Sequence, residues 1–155
     1  MDRVPALSIR QPWAELIVSG RKTIEIRSWY TEYRGLLWLH TGLKSDPQLD
    51  QQFGLQKPFV GGYVGSVVLS AVNPLDRERW VHWSSMHLCS RADYRPGLYG
   101  WVLTSPHKFA QPIAGLGKLN LFYPNDELLE QLQRANAGEE VKFRADTQLN
   151  LLDEN

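Results

Sequence analysis

Gly20-Arg21-Lys22-Thr23-Ile24-Glu25-Ile26-Arg27 carries the chain out of a helix and into a strand within eight residues. From Thr23 onward polar and apolar side chains alternate strictly, so Ile24 and Ile26 point to one face of a strand and Thr23, Glu25 and Arg27 to the other. Upstream, Gln11-Pro12-Trp13 opens a helical pattern in which Pro12 suits the first turn and Trp13, Leu16 and Ile17 share a face. Gly20 closes that helix as a left-handed C-terminal cap, leaving Arg21 and Lys22 in the turn. Before it, Ala6-Leu7-Ser8-Ile9 reads as a short extended run.

Further strands are predicted at Gly35 to Thr41, Tyr63 to Val72 and Leu98 to Thr104, with a fifth near Gly115 to Tyr123. The stretch Lys44 to Lys57 accommodates one short helix. The aromatic segment between Asn73 and Gly97, with Trp80, Trp83 and Tyr94, is too long for a plain loop and reads as a partly helical cover. The strand Leu36 to His40 is expected to pair beside the motif strand. Asp126 to Leu132 reads as a short helix with an acidic start, followed by a polar, acidic end whose last ten to fifteen residues are expected to be flexible. The pattern therefore predicts an α+β, mainly β chain: a small, strongly curved or closed sheet with one helix after the first strand and peripheral helices. One domain over 1–123 is expected, with 124–155 as its C-terminal helix and tail.

At 155 residues, a second independent core is not expected. Hydrophobic residues at 43% and aromatics at 11% exclude global disorder. Cys89 is the only cysteine, so there is no internal disulfide and no multi-cysteine zinc cluster; with no signal pattern and no apolar run long enough to span a bilayer, the cytoplasm is the expected compartment, and a monomer is favoured. A formal net charge of +0 argues against an electrostatic binder of duplexes. Charge is uneven, however. Residues 1–44 carry a net +3 and residues 126–155 a net −5, so an anionic ligand is expected to approach the N-terminal third.

Glu25 and Arg27 leave the same strand face, and Lys22 is free to bend toward them. Two cations beside one carboxylate can hold an anion or polar ring while the carboxylate accepts from a ligand donor. The same spacing also describes a solvated same-face ion pair, worth little. Arg10 stands where an anion at the helix N-terminus would meet it, or is a surface arginine. Trp13 is either a stacking face for a base or part of the helix's buried stripe. His40 either lines the pocket or is a satisfied structural histidine, and Ser66, Ser70 and Thr104 are weaker candidates for polar lining. His82, His87 and Cys89 have spacings of five and two, which fit neither helical pairing nor a zinc pattern, so no metal is expected, nor any other cofactor.

The stretch Ala6 to Ala14, followed by Gly20-x-Lys22-x-x-Glu25-x-Arg27, resembles the signature of ASCH domains, members of the PUA-like superfamily of small curved β-barrels. The resemblance continues through Gly61-Gly62-Tyr63-Val64-Gly65 and Tyr99-Gly100-Trp101-Val102-Leu103, with Pro112 to Leu119 similar to the closing strand. It implies a cleft between barrel and first helix that receives RNA or a nucleotide- or nucleoside-like ligand, lined by Lys22, Glu25 and Arg27 and flanked by Gln11 and Trp13. With Arg10, Thr23 and His40 these form the expected ligand-binding set. Some relatives are amidohydrolases acting on acetylcytidine, and their motif carries a reactive threonine where this chain has Glu25. A carboxylate, an acceptor only, cannot simply replace a hydroxyl nucleophile, though it can activate water as a general base. The alternative is therefore a small hydrolase acting on a modified nucleoside or on RNA, with Lys22 and Glu25 as its catalytic pair.

Overall fold

The motif's alternation becomes a four-residue strand, and the glycine before it turns the chain as its position requires. In the computed structural model, which describes residues 3–138, Gly20 has φ +84°, and its N–H and that of Ser19 close the helix on Ile17 O and Glu15 O, both at 3.0 Å. In chain order the elements are β1 (Ala6–Ser8), α1 (Trp13–Val18), β2 (Ile24–Arg27), β3 (Gly35–Thr41), α2 (Pro47–Gln52), β4 (Gly62–Pro74), α3 (Arg77–His82), α4 (Ser84–His87), β5 (Tyr99–Ala114) and β6 (Leu121–Phe122). A 3-10 turn at Arg91–Asp93 precedes β5, and residues 126–138 are helical, labelled α5. Pro12 stands just before α1, as its cap residue.

The strands form one mixed sheet in the order β2-β5-β4-β3-β1-β6, curled into a half-barrel with β2 and β6 as its edges. Among the described strands only β1 and β3 run parallel. The expectation that β3 lies beside the motif strand is corrected: β2 pairs with β5, Ile24 opposite Val102 and Arg27 opposite Tyr99. The reason is aromatic. Trp101 of β5 is fully buried, its indole N–H donates to Trp29 O at 3.4 Å, and its ring meets Trp29 edge-on at 4.7 Å, so the turn after β2 is fastened to β5.

The strand expected at Leu98 to Thr104 is also longer than its sequence suggested. It runs sixteen residues, bending at Ser105 (φ +50°) and Pro106, and stays paired with β4 through three register shifts. Bulges break the period-two pattern, which hides such a strand from sequence reading. At Gly65 the backbones approach so closely that a Cβ would lie 2.1 Å from His107 O, so this bend accepts only glycine there. The fifth strand predicted at Gly115 to Tyr123, and the closing strand placed at Pro112 to Leu119, are corrected as well. Pro112 to Ala114 end β5, residues 115–120 form a loop, and only Leu121–Phe122 are strand.

Three apolar clusters hold the fold. Leu7, Ile17, Leu37, Leu39, Val67, Leu69, Trp101 and Leu103 fill the curl beneath α1. On the other side Trp38, Tyr63, Phe109 and Phe122 meet Leu132 of α5, whose complete burial stabilises by about 1.5–3 kcal/mol relative to exposure. Ser66 Oγ donates to Asn136 Oδ1 of α5 at 2.6 Å, so this serine is a structural tie and not a pocket liner. The aromatic segment makes a satellite core of Leu75, Trp80 and Leu98 against Ile26 of β2, as its reading as a cover implied. Among the described residues no helix is long and apolar enough to cross a membrane. The acidic tail beyond residue 138, where flexibility was expected, lies outside the described residues.

Candidate nucleotide-binding cleft

Lys22 leaves the turn between α1 and β2 with its backbone N–H bonded to Leu16 O at 2.9 Å, which aims its side chain inward. The ammonium donates to His87 O, sits 4.6 Å from the centre of the Trp13 ring and lies 3.9 Å from Glu25 Oε1. Glu25 Oε1 accepts from Ile26 N at 3.1 Å, and its Oε2 faces Arg27 Nη1 at 3.4 Å. Side-chain exposure rises along this chain of charges from 0% at Lys22 through 7% at Glu25 to 23% at Arg27. The interior pair thus braces the carboxylate, and the carboxylate braces the guanidinium, the member of the three that reaches open space.

That space is a cavity of about 960 Å³. Arg27, on the β2 edge, forms one side; Ser8 at the end of β1, Arg10 just after it and Asn120 before β6 form the other, where the half-barrel fails to close. Arg10, Arg27, Lys44 and Lys118 line it, and no acidic residue among the described ones does. Its rim carries Leu43, Leu116 and Leu119, exposed at 81%, 90% and 90%. Gly42, Gly61, Gly115 and Gly117 leave backbone bare along the walls.

His40 holds one wall in place. Gly115 O can only accept, so His40 Nε2 carries the proton and donates to it at 2.8 Å, leaving Nδ1 to accept from Ser8 Oγ at 2.9 Å. The ring packs edge-on against Tyr63 and Phe122, and a Cβ at Gly117 would fall 2.4 Å from His40 Cε1. The loop of residues 115–120 can lie this close only because glycine is there.

The ASCH family model matches residues 7–113, more than half of the chain. The chain belongs to the ASCH domain family. It is 56% identical to activating signal cointegrator 1 of Mus musculus and of Homo sapiens over 43 residues, which is 27% of this chain but only 7% of either relative's length. An ASCH protein of Zymomonas mobilis superposes with TM-score 0.61 at 19% identity, covering 84% of this chain and 93% of that one; two of its point mutants give 0.61 and 0.60. At such identity the structures share the fold.

In this ASCH domain the expected site residues divide. Arg10, Arg27 and His40 line the cavity, while Lys22 and Glu25 lie behind Arg27. Trp13 covers the Lys22 ammonium and meets Phe53 edge-on at 5.6 Å. Gln11 is fully buried, its amide donating to Phe59 O at 2.8 Å and accepting from Glu15 N at 2.9 Å, so it ties α1 to the chain before β4. Thr23 is held through its backbone, its N–H donating to Met86 O of α4 and its carbonyl accepting from Leu103 N of β5. Ser70 and Thr104 bond each other on the exposed face and do not line the cavity. His87 spends both nitrogens, on Trp80 O and Cys89 N, and among the described residues no three His, Cys, Asp or Glu side chains are grouped as metal ligands. Sequence reasoning missed Lys44, Lys118 and the loop of residues 115–120. A signal existed: Gly42-Leu43-Lys44 and Gly117-Lys118-Leu119 share one composition, an exposed leucine and a lysine beside glycine.

The two buried histidines give the domain an acid-side weakness. Burial pushes His40 below its ordinary 6.5, against the bond to Gly115; burial also lowers His87, against its Trp80 bond and with the help of the Lys22 charge. The unfolded chain therefore binds more protons than the native one below pH 6.5, and stability present above that pH is lost as pH falls. Melting temperature is expected to hold above about pH 7 and to decline toward pH 5. His40→Gln should flatten part of that decline, and an unchanged profile would contradict a buried, neutral His40 bonded to Gly115.

Proposed function

We propose that this ASCH domain binds RNA, or a nucleotide-like ligand, by holding one nucleotide unit in the half-barrel cleft. The carrying observation is the lining: Arg10, Arg27, Lys44 and Lys118 with no described acidic residue, in a cavity of nucleotide size in a chain of net charge +0. Cations gathered on one concavity of a neutral protein are what an anionic ligand requires. Arg27, braced by Glu25, meets a phosphate or carbonyl oxygen in a fixed direction. Lys44 and Lys118 neutralise phosphate from two loops, and the glycine walls leave room for a base. The leucine rim covers its apolar face. Lys22, Glu25 and Trp13 act from behind, as support for Arg27, and His40 acts through the loop it holds. The domain binds as a monomer, and its lone free thiol, Cys89, suits the reducing cytoplasm.

Titration of a labelled short single-stranded RNA at several salt concentrations tests this reading. Binding is expected to weaken with salt at about 0.7 logarithmic units per neutralised phosphate. The double variant Lys44→Glu/Lys118→Glu should lose at least tenfold in affinity and flatten the salt slope. Salt-independent binding, or full affinity in the double variant, would contradict it.

A hydrolase acting on acylated nucleosides has less support, because the Lys22 ammonium is enclosed and Glu25 is turned toward Lys22 and Arg27. If acetylcytidine is turned over, Glu25→Gln should abolish turnover, since glutamine cannot take a proton at neutral pH. Turnover surviving in that variant would remove Glu25 from the chemistry.

A further inference from the structure

Arg27 faces a second recess on its other side. This one, of about 430 Å³, lies between the turn after β2 and the aromatic segment, and among its lining residues are Arg27, Ser28, Trp29, Trp80, Asp93 and Arg95. Arg27 is the one described residue that lines both recesses. Two features of the second go unused among the described residues, and a third is used only in part. Arg95 is exposed and has no ion-pair or hydrogen-bond partner among the described residues. Trp80 is 2% exposed, and its indole N–H has no acceptor among the described residues. Trp29, held edge-on by Trp101 and with the Arg27 guanidinium 5.7 Å from its ring centre, is only partly covered.

We infer that the second recess is a subsite for the neighbouring nucleotide, so that the ligand is an oligoribonucleotide strand crossing Arg27 and not a free mononucleotide. The inference rests on the reading of the main cleft given above. A phosphodiester group is the part of such a ligand that lies between two successive bases, and Arg27, between two recesses, is the cation that meets it. The adjoining base lies against Trp29, and the next phosphate reaches Arg95. A rigid aromatic face and an exposed arginine are the parts with which proteins bind single strands, stacking contributing about 1–3 kcal/mol per base. Asp93 limits where the phosphate sits: its carboxylate repels an anion, which favours the Arg27 and Arg95 sides, and it accepts from a base amine instead.

The test compares ligands of increasing length by calorimetry: the four nucleoside monophosphates, then mixed-sequence oligoribonucleotides of two and four nucleotides, on wild type and on Arg95→Glu. The surface variant Lys57→Glu, whose residue lines neither recess, serves as a charge control. The tetranucleotide is expected to bind at least tenfold tighter than any monophosphate. Arg95→Glu is expected to remove most of that gain while changing monophosphate affinity less than twofold, and Lys57→Glu to leave the gain in place. Equal affinity at all lengths would overturn the second subsite and leave the main cleft standing. So would a gain that survives in Arg95→Glu, or one lost equally in Lys57→Glu. No binding at any length would overturn both.

Discussion

Methionine in place of Lys22 is expected to destabilise the domain by about 3–5 kcal/mol, the cost of removing one partner from a buried ion pair. The ammonium has 0% side-chain exposure and shares its surroundings with Glu25, the Trp13 ring and His87 O. Without it, Glu25, 7% exposed, keeps only Arg27 and the Ile26 N–H among the described residues, and His87 O loses a donor inside a buried turn. In a domain of this size the corresponding fall in Tm is on the order of 10 °C. Denaturation in urea measures it. The double variant Lys22→Met/Glu25→Gln should recover a large part of the loss, because it also removes the stranded charge. A single variant as stable as wild type would mean that the ammonium is solvated and turned to the cleft.

Alanine at Arg27 is expected to do the reverse: a small stability change and a large loss of binding. Its ion pair with Glu25 is partly solvated, a class of contact worth about 1 kcal/mol or less. A charge-assisted bond to a ligand oxygen contributes about 1.5–3 kcal/mol, which is roughly ten- to a hundredfold in Kd. Lysine at the same position should restore only part of it, since an ammonium lacks the planar fork. Equilibrium binding of a short RNA to Arg27→Ala, Arg27→Lys and wild type reads the effect. A variant that binds as wild type does would remove Arg27 from the interface.

The two variants separate what the motif's spacing left joined. In the sequence Lys22, Glu25 and Arg27 look like equals, because alternation states which face a side chain leaves but not how deep that face lies. The structure grades them by burial, and the cause is distant: α4, more than sixty residues later in the chain, lays His87 O over Lys22. Gln11 shows the same limit, since its partner Phe59 lies 48 residues away. What was legible was local: the Gly20 cap, the β2 alternation, β3 from Gly35 to Thr41 and the helix in the Lys44–Lys57 stretch. The neighbour of β2 was not, because strand order depends on which apolar faces meet, here Trp101 with Trp29. Nor was the cavity, whose sides come from five separate stretches of chain and become one place only when the half-barrel curls.

Chemical-shift mapping tests the cleft most directly: amide shifts of the labelled domain are followed while a four-nucleotide RNA is added. The largest changes are expected at Arg27, Gly42, Lys44, Gly115, Gly117 and Lys118, the residues around the cavity, and at equal RNA concentration they should be much smaller in Lys44→Glu/Lys118→Glu. Changes centred instead on α5, or on the exposed Ser70–Thr104 face, would contradict binding in the cleft.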